Sequence, residues 1–310
     1  RHMYNSSLQR EEIERVYGRI SPFELKDKLI NLAEDSRRGS AHSLLDAGRG
    51  NPNWIAATPR EAFFTFGQFA VSESRRVWDE GDLAGMPRKE GIAVRFREYV
   101  KNHPDAPGIE LLWKMINYGV TVKCFNADDW IYELVDGIIG DNYPHPDRML
   151  RHVELVVNDY LIQELCYNEP LEGRFNTFAV EGATAGMCYI FDSLIANNIL
   201  SKGDKIALMS PIFTPYLEIP HLPRYNFEVI NICADEMDEE GRHTWQYPGS
   251  EIDKLKDASI KALFVVNPNN PPSVAMRPQS VRQLKHVVEN FNPDLMIISD
   301  DVYSTFVDNF

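Results

Sequence analysis

Two adjacent carboxylates, Asp300 and Asp301, stand at the end of an apolar run that is typical of a buried strand. A carboxylate at such a strand end is partly desolvated, so it needs a cationic partner. Asp300 is therefore a candidate for pairing with a positively charged ligand atom, with Tyr303 three residues later as its neighbour. A surface acid or a helix cap would explain one of the two aspartates equally well.

A run of small residues, Gly182, Ala183 and Thr184, lies between a predicted strand and a predicted helix. Small side chains there leave main-chain N–H groups and the Thr184 hydroxyl free to face an anion at the helix N-terminus. The pattern predicts a phosphate cradle. Close packing of the helix on the strand would require the same residue types.

Residues 210–216, Ser-Pro-Ile-Phe-Thr-Pro-Tyr, directly follow another predicted strand. They place one or two aromatic rings, Phe213 first among them, at the same edge of the sheet. An aromatic face at that edge could stack on a flat heterocycle. Ordinary core aromatics would give the same pattern.

Residues 267–273, Asn-Pro-Asn-Asn-Pro-Pro-Ser, follow a third predicted strand and are unusually rich in asparagine and proline. The prolines can fix a turn, with a cis peptide bond as one option, while an asparagine amide is held against a ligand oxygen. A plain turn would not require two adjacent asparagines. Asn270 is the candidate ligand contact.

The elements that position these residues form an α/β pattern after residue 170. Strands are predicted at 175–180, 205–209, 227–232, 260–266 and 295–299, with helices at 185–197 and 279–290. Apolar strands that alternate with helices indicate an open, largely parallel sheet covered on both faces. Ligands of such sheets bind beyond the carboxyl ends of the strands, where several of the candidate residues lie.

The first half of the chain has a helical pattern. Apolar residues recur at helical spacing over residues 8–35, with Ser21 before Pro22 as a helix start. Residues 47–54 predict an irregular loop, and residues 59–140 are mainly helical. We expect an N-terminal arm with part of a small domain over residues 1–60. A large domain would follow over residues 61–310, with a helical insertion at about 70–140.

Composition excludes several classes of protein. A net charge of −14 repels phosphate backbones and provides no polybasic membrane patch, so nucleic acid and membranes are not expected partners. No apolar run reaches the roughly 20 residues of a membrane span. The four cysteines lack metal-site spacing and form no dense disulfide framework, which favours a reduced, cytoplasmic setting and no metal site.

Taken in chain order, with the Asp300 segment last, the four segments resemble the fold-type I pyridoxal-5'-phosphate (PLP) enzymes of the aspartate aminotransferase family, over about residues 140–305. The resemblance implies a mostly parallel central sheet flanked by helices, and PLP as cofactor. It also implies a role for each candidate residue. Ala183 and Thr184, with Gly182, would hold the phosphate, Phe213 would stack on the ring, Asn270 would contact the phenolic oxygen, and Asp300 with Tyr303 would pair with the pyridinium.

The resemblance adds three further residues. Tyr143 lies in a loop similar to the family loop whose tyrosine reaches the phosphate in the partner subunit, which implies a homodimer or a larger homo-oligomer. Gly50 stands where the family has a glycine near the substrate carboxylate. Arg49 beside it could bind a second carboxylate as a bidentate fork, in a substrate-binding and catalytic role, although a surface arginine is the commoner case.

Within the family, the chain is most similar to the aspartate beta-decarboxylases. Residues 48–54, residues 211–220, Pro272 and the helical insertion match that subgroup, and Phe213 and Pro272 depart from the usual aminotransferase pattern. The resemblance implies beta-decarboxylation of L-aspartate to L-alanine and carbon dioxide, with transamination as a side reaction. The alternatives are an aspartate or alanine aminotransferase, and a PLP-fold homologue or fragment without catalysis.

The family also requires a lysine that links the cofactor, tens of residues after the Asp-x-x-Tyr motif, and a later arginine for the alpha-carboxylate. Neither Lys261 nor Lys285 lies in a matching context, so the sequence assigns no such lysine. We therefore expect this chain to be part of a longer enzyme, inactive by itself, or a homologue without catalysis. A Rossmann dehydrogenase is not indicated, since no G-x-G-x-x-G follows a strand.

Overall fold

The computed structural model describes residues 12, 15–18, 20–37, 55–140 and 148–308. The chain divides into two compact units. One is Asn51–Ala179, and the other is Val180–Phe310 together with Arg1–Gly50. Helix α1 spans Pro22–Arg37. The Ser21 hydroxyl accepts a hydrogen bond from the Glu24 main-chain N–H at 3.1 Å, which confirms the predicted helix start.

The unit Asn51–Ala179 is helical, as predicted. Its helices are α2 (Ala57–Asp79), α3 (Ile92–Asn102), α4 (Ile109–Thr121), α5 (Ala127–Ile139) and α6 (Arg151–Cys166). Apolar residues at helical spacing turn one face of each of α2–α5 into a shared core. Phe66, Phe69 and Phe96 form its centre, and the rings of Phe69 and Phe96 meet edge to face at 5.1 Å.

A buried carboxylate ties α2 to α3. Glu73 is almost fully buried, and its oxygens accept hydrogen bonds from Arg95 Nε at 2.9 and 3.0 Å. Arg76 also reaches Glu73, at 3.3 Å. A buried charge is tolerated only where it is paired and hydrogen-bonded, so the two arginines are what allow Glu73 to lie here.

The unit that contains Val180–Phe310 has a four-stranded parallel sheet in the order β2-β1-β3-β4. Helix α7 (Ala183–Ala196) precedes β1 (Lys205–Ser210), and the short helix α8 (Pro215–Glu218) follows it. Then come β2 (Glu228–Cys233), the short helix α9 (Gly249–Ile252), β3 (Ile260–Val266), α10 (Pro278–Asn290) and β4 (Met296–Asp300). Short 3-10 helices span Ile219–His221, Asp253–Lys256 and Ser304–Phe306. The predicted parallel α/β sheet is confirmed.

Each face of the sheet is covered by one of the two long helices. Helix α7 packs on one face, where Phe191 lies 5.1 Å from Phe264 between ring centroids. Helix α10 packs on the other face through Leu284 and Val287. Side chains of a strand alternate between faces, so Met296, Ile298 and Asp300 of β4 share the α7 face. Met296 and Ile298 indeed pack against the core on that side.

The strand predicted at residues 175–180 is wrong. These residues have no regular secondary structure, and Phe178 is 65% exposed. An apolar run forms a strand only where another strand can pair with it, and none of the described strands does so here.

Among the helices that the structure describes, none combines the length and the apolar character that a membrane span requires.

Candidate functional site

Asp300 is the last residue of β4, and both of its carboxylate oxygens accept a hydrogen bond. The Tyr216 hydroxyl donates to Oδ2 at 2.6 Å, and the main-chain N–H of Val302 donates to Oδ1 at 3.1 Å. Register pairs Asp300 with Val266, the last residue of β3. The carboxylate therefore has a fixed orientation at the carboxyl edge of the sheet, where a ligand of a parallel sheet binds.

The structure separates Asp300 from its neighbour Asp301. Asp301 follows β4 and accepts a hydrogen bond from the Ser299 hydroxyl at 2.6 Å. Burial raises the pKa of Asp301, and the nearby charge of Asp300 raises it too, although the Ser299 hydrogen bond acts in the opposite direction. Asp301 thus has a local partner of its own, which leaves Asp300 as the carboxylate linked to the rest of the site.

Phe213 lies just before α8, on the same face of the sheet as Asp300. It is half-buried and packs against the core between α7 and the sheet. The ring of Tyr216 meets it at right angles, with 5.4 Å between ring centroids. Tyr216 in turn lies 6.0 Å from Phe264 of β3. Phe213 and Asp300, which the sequence assigned to one site, are therefore both in contact with Tyr216.

The asparagine-rich loop after β3 joins the two neighbouring segments. The main-chain N–H of Asn267 donates to the main-chain oxygen of Asp300 at 3.0 Å. The buried Asn269 amide donates to the main-chain oxygen of Pro211 at 2.8 Å and to the Tyr247 hydroxyl at 3.1 Å. The peptide bonds before Pro268 and Pro271 are cis, an option that the sequence left open.

The two adjacent asparagines have different surroundings. Asn269 is fully engaged through its Nδ2 atom, as described above, whereas its Oδ1 is buried without a partner among the described residues. Asn270 is half-exposed, and within the described part of the chain its amide makes no side-chain hydrogen bond. Asn270 is therefore the member of the pair whose amide is available to a ligand.

Gly182 forms the N-cap of α7 with φ +123° and ψ 160°, a conformation that is essentially restricted to glycine. It supplies no capping side chain, so the first N–H groups of the helix have no side-chain cap. Ala183 and Thr184 are exposed there, and among the described residues the Thr184 hydroxyl makes no hydrogen bond to Asn270 or Asp300. The open helix start has the donors that an anion requires.

The remaining candidates divide into one that the structure describes and three that it does not. Tyr303 is half-buried in the turn after β4, with its ring 6.1 Å from Phe306. Arg49, Gly50 and Tyr143 lie outside the described residues.

Two residues that the sequence did not assign prove to be connected to the site. Tyr216 was visible only as a second aromatic in the 210–216 segment, and nothing in the sequence pairs it with a carboxylate 84 positions away. Asn269, the neighbour of the candidate Asn270, was given no role from the sequence. The burial of Asn269 next to Pro211 could not be predicted without the fold.

Residues 182–310 match the family model for aminotransferase class I and II. This segment is therefore similar to the aminotransferases of that family. Its match begins at Gly182, so it contains α7, the whole sheet and every described candidate residue. The aminotransferase segment has the fold-type I architecture of a parallel sheet between helices, as the resemblance implied.

The match to one curated relative extends over both units. The chain is 43% identical, over 299 residues, to a bifunctional aspartate aminotransferase and L-aspartate beta-decarboxylase from a Pseudomonas species. The alignment covers 96% of this chain and 55% of that protein, so the chain spans about half the length of this relative.

Two solved structures are also similar to the chain. An aminotransferase from Mycobacterium tuberculosis has a TM-score of 0.43 and 14% identity, covering 92% of this chain and 50% of its own. Cystalysin from Treponema denticola, whose structure contains pyridoxal 5'-phosphate, has a TM-score of 0.37 and 18% identity over 48% of this chain and 34% of its own. The similarity to aminotransferases rests on the family model and the curated relative, and not on these two structures.

The helical unit has a separate, open cavity of about 960 Å³. Its wall includes Lys89, Asp129, Glu133 and His152, which are engaged with one another. The salt bridge between Lys89 and Asp129 measures 2.8 Å, and His152 Nδ1 lies 2.6 Å from Glu133. None of the described candidate residues lines this cavity, so it is distinct from the site at the sheet edge.

Proposed function

We propose that the full-length protein is a PLP-dependent enzyme that converts L-aspartate to L-alanine and carbon dioxide and also transaminates. The observation that carries the proposal is the 43% identity to the bifunctional Pseudomonas enzyme, which extends over 96% of this chain. The match includes the helical unit and is therefore not limited to the cofactor-binding segment common to aminotransferases.

The described residues fit the proposed cofactor part by part. The start of α7 offers uncapped N–H groups beside Gly182 for the phosphate. Phe213 offers an aromatic face, and Asn270 an amide without a protein partner among the residues described. Asp300 offers an oriented carboxylate for the ring nitrogen, with Tyr303 in the next turn. An uncapped helix start, an aromatic ring and an oriented carboxylate suit a molecule with a phosphate and a cationic heterocycle, and PLP has both.

The chemistry is divided between cofactor and protein. When bound, PLP supplies the electron sink that both decarboxylation and transamination need. Asp300 would keep the proton on the ring nitrogen of bound PLP by offering it a negative partner, and Phe213 would stack on the PLP ring. Arg49, Gly50 and Asn270 would bind substrate, with Arg49 placing a carboxylate of aspartate through a bidentate fork. How readily water enters the site would set the partition between decarboxylation and transamination.

The proposal includes an oligomer. Tyr143 would reach the phosphate in a partner subunit, so the working unit would be a homodimer or a larger homo-oligomer located in the cytoplasm. The chain would supply an N-terminal arm over residues 1–60 and a large PLP domain over residues 61–310, with its helical insertion at about 70–140. Size-exclusion chromatography with light scattering measures the oligomer directly, and a monomer at working concentration would contradict it.

The experiment that tests the proposal separates decarboxylase from aminotransferase. The purified full-length protein, loaded with PLP, is given L-aspartate with and without 2-oxoglutarate, and alanine and carbon dioxide are quantified. Alanine and carbon dioxide in equal amounts without 2-oxoglutarate are expected. Turnover only when 2-oxoglutarate is added would indicate an aspartate aminotransferase instead. No turnover in either condition would favour a homologue without catalysis.

A further inference from the structure

Tyr216 is the residue that connects the two groups proposed to contact the cofactor ring. Its side chain is 3% exposed and its hydroxyl donates to Asp300 Oδ2 at 2.6 Å. Its ring lies at 88° to that of Phe213. One buried side chain thus touches both the carboxylate at the end of β4 and the aromatic ring after β1.

The main chain holds Tyr216 in this place. Its N–H donates to the main-chain oxygen of Phe213 at 2.9 Å, within the turn that begins α8. The ring also packs on Phe264 of the central strand β3. Because the ring is fixed from two sides, the hydroxyl can restrain the Asp300 carboxylate and does not merely follow it.

The direction of the hydrogen bond is also fixed. Burial raises the pKa of Tyr216 and the bond to the Asp300 carboxylate raises it further, so the proton stays on the phenol oxygen at neutral pH. Asp300 therefore receives a neutral donor on one oxygen and the Val302 N–H on the other. Hydrogen bonds from two fixed donors favour one orientation of this carboxylate.

We propose that Tyr216 is a positioning residue of the site: it fixes the orientation of the Asp300 carboxylate and of the Phe213 ring. The inference rests on the proposed function, since both groups are assigned to PLP there. Tyr216 itself does not touch the reacting atoms. Its hydroxyl acts through Asp300, and its ring acts through Phe213, so the two contributions can be removed one at a time.

The test uses Tyr216→Phe in the full-length protein, since this change removes the hydroxyl and keeps the ring. Apo protein is titrated with PLP and followed by absorbance, and the pH dependence of the bound cofactor's spectrum is recorded. Because Asp300 loses a hydrogen-bond donor, we expect the dissociation constant for PLP to rise about tenfold. We also expect a shift in the pH at which the spectrum of the bound cofactor changes. In steady-state assays kcat should fall more than KM changes.

Tyr225→Phe is the matched control. Tyr225 is also fully buried in the α7-side core, and its hydroxyl also donates to a carboxylate, Asp192 Oδ1, at 2.7 Å. Asp192 has no proposed contact with the cofactor. The control should lose a comparable amount of stability while its PLP dissociation constant and spectrum stay within about twofold of the unmodified protein.

The outcomes distinguish this inference from the proposed function. If the unmodified protein binds PLP but does not turn over aspartate, the function is wrong and the binding titration still tests Tyr216. If PLP affinity, spectrum and kcat of Tyr216→Phe all match the unmodified protein, the positioning role is overturned. Equal effects in Tyr216→Phe and Tyr225→Phe would also overturn it, because only general stability would then be involved.

Discussion

The side-chain amide of Asn269 donates a hydrogen bond to the main-chain oxygen of Pro211 across 2.8 Å. The contact joins the loop after β3 to the segment after β1, which carries Phe213. The neighbouring Asn270 has no comparable contact among the described residues. Two asparagines that are adjacent in sequence thus differ: the Asn269 amide is engaged inside the protein, and the Asn270 amide has no hydrogen-bond partner among the described residues.

The asparagine pair gives the first prediction. Asn269→Ala leaves the Pro211 oxygen without its donor, so we expect a loss of about 1–3 kcal/mol of unfolding free energy. Asn270→Ala should lower stability by less than about 0.5 kcal/mol, since the Asn270 amide has no hydrogen-bond partner among the described residues. Urea unfolding of both variants measures the two values. Asn270→Ala should instead weaken PLP binding, and the opposite assignment of the two effects would contradict the site as described.

The second prediction concerns the backbone of Gly182. Gly182→Ala has space for its methyl group, since nothing lies within 4 Å, but φ +123° is strained for any residue with a side chain. We expect Gly182→Ala to lower the free energy of unfolding by about 1–3 kcal/mol, because the start of α7 must shift. The same shift should weaken binding of the PLP phosphate. Thermal unfolding and PLP titration are the measurements.

Gly173→Ala is the control for this change. Gly173 also has nothing within 4 Å, and its φ lies outside the left-handed region. Stability and PLP affinity should both be unchanged within error. If Gly182→Ala behaves like Gly173→Ala, the helix start is not a strained anion site.

The third prediction tests the buried charge of the helical unit. Glu73→Ala leaves Arg95 and Arg76 without their shared carboxylate, and we expect a loss of about 3 kcal/mol. Glu110→Ala removes an exposed partner of Lys114 and should leave the free energy of unfolding nearly unchanged. Denaturant unfolding of the two variants is compared at one ionic strength. If both variants lose the same free energy of unfolding, the contacts of Glu73 do not stabilise the packing of α2 on α3.

The fourth prediction is a pH dependence at Asp301. Its folded-state pKa is raised, chiefly by burial, so ionisation opposes folding as pH rises from the unfolded carboxyl pKa of about 4 through the raised value. Asp301→Asn avoids this ionisation and can still accept from Ser299. The variant should match the unmodified protein below pH 4 and be the more stable of the two at pH 7. Urea midpoints across this range measure the effect, and a variant less stable at pH 7 would contradict it.

The sequence was sufficient for the sheet because its strands are short apolar runs between turn residues. The four strands β1–β4 lie within one residue of their predicted positions. Residues 175–180 are also a short apolar run, but no described strand pairs with them. Strand pairing depends on the whole fold and cannot be inferred from the composition of one segment.

The site could be predicted where a motif fixes the residue and not where a contact does. Asp300 and Phe213 follow from their positions after strands. Their link through Tyr216 depends on the register of β1, β3 and β4, which sets the end of one strand beside that of another. Asp300 and Asp301 likewise differ in their hydrogen-bond donors, which are Tyr216 and Ser299. The sequence shows two adjacent aspartates and does not reveal which donor each of them has.

The central claim, that Asp300 is the partner of the PLP ring nitrogen, is tested most directly by one rate. This is the rate of carbon dioxide release from L-aspartate by two variants of the PLP-loaded full-length protein, Asp300→Ala and Asp301→Asn. If Asp300 is the partner of the ring nitrogen, Asp300→Ala should reduce the rate by about 100-fold or more while Asp301→Asn stays within about threefold of the unmodified enzyme. Near-normal turnover by Asp300→Ala would contradict the proposed site.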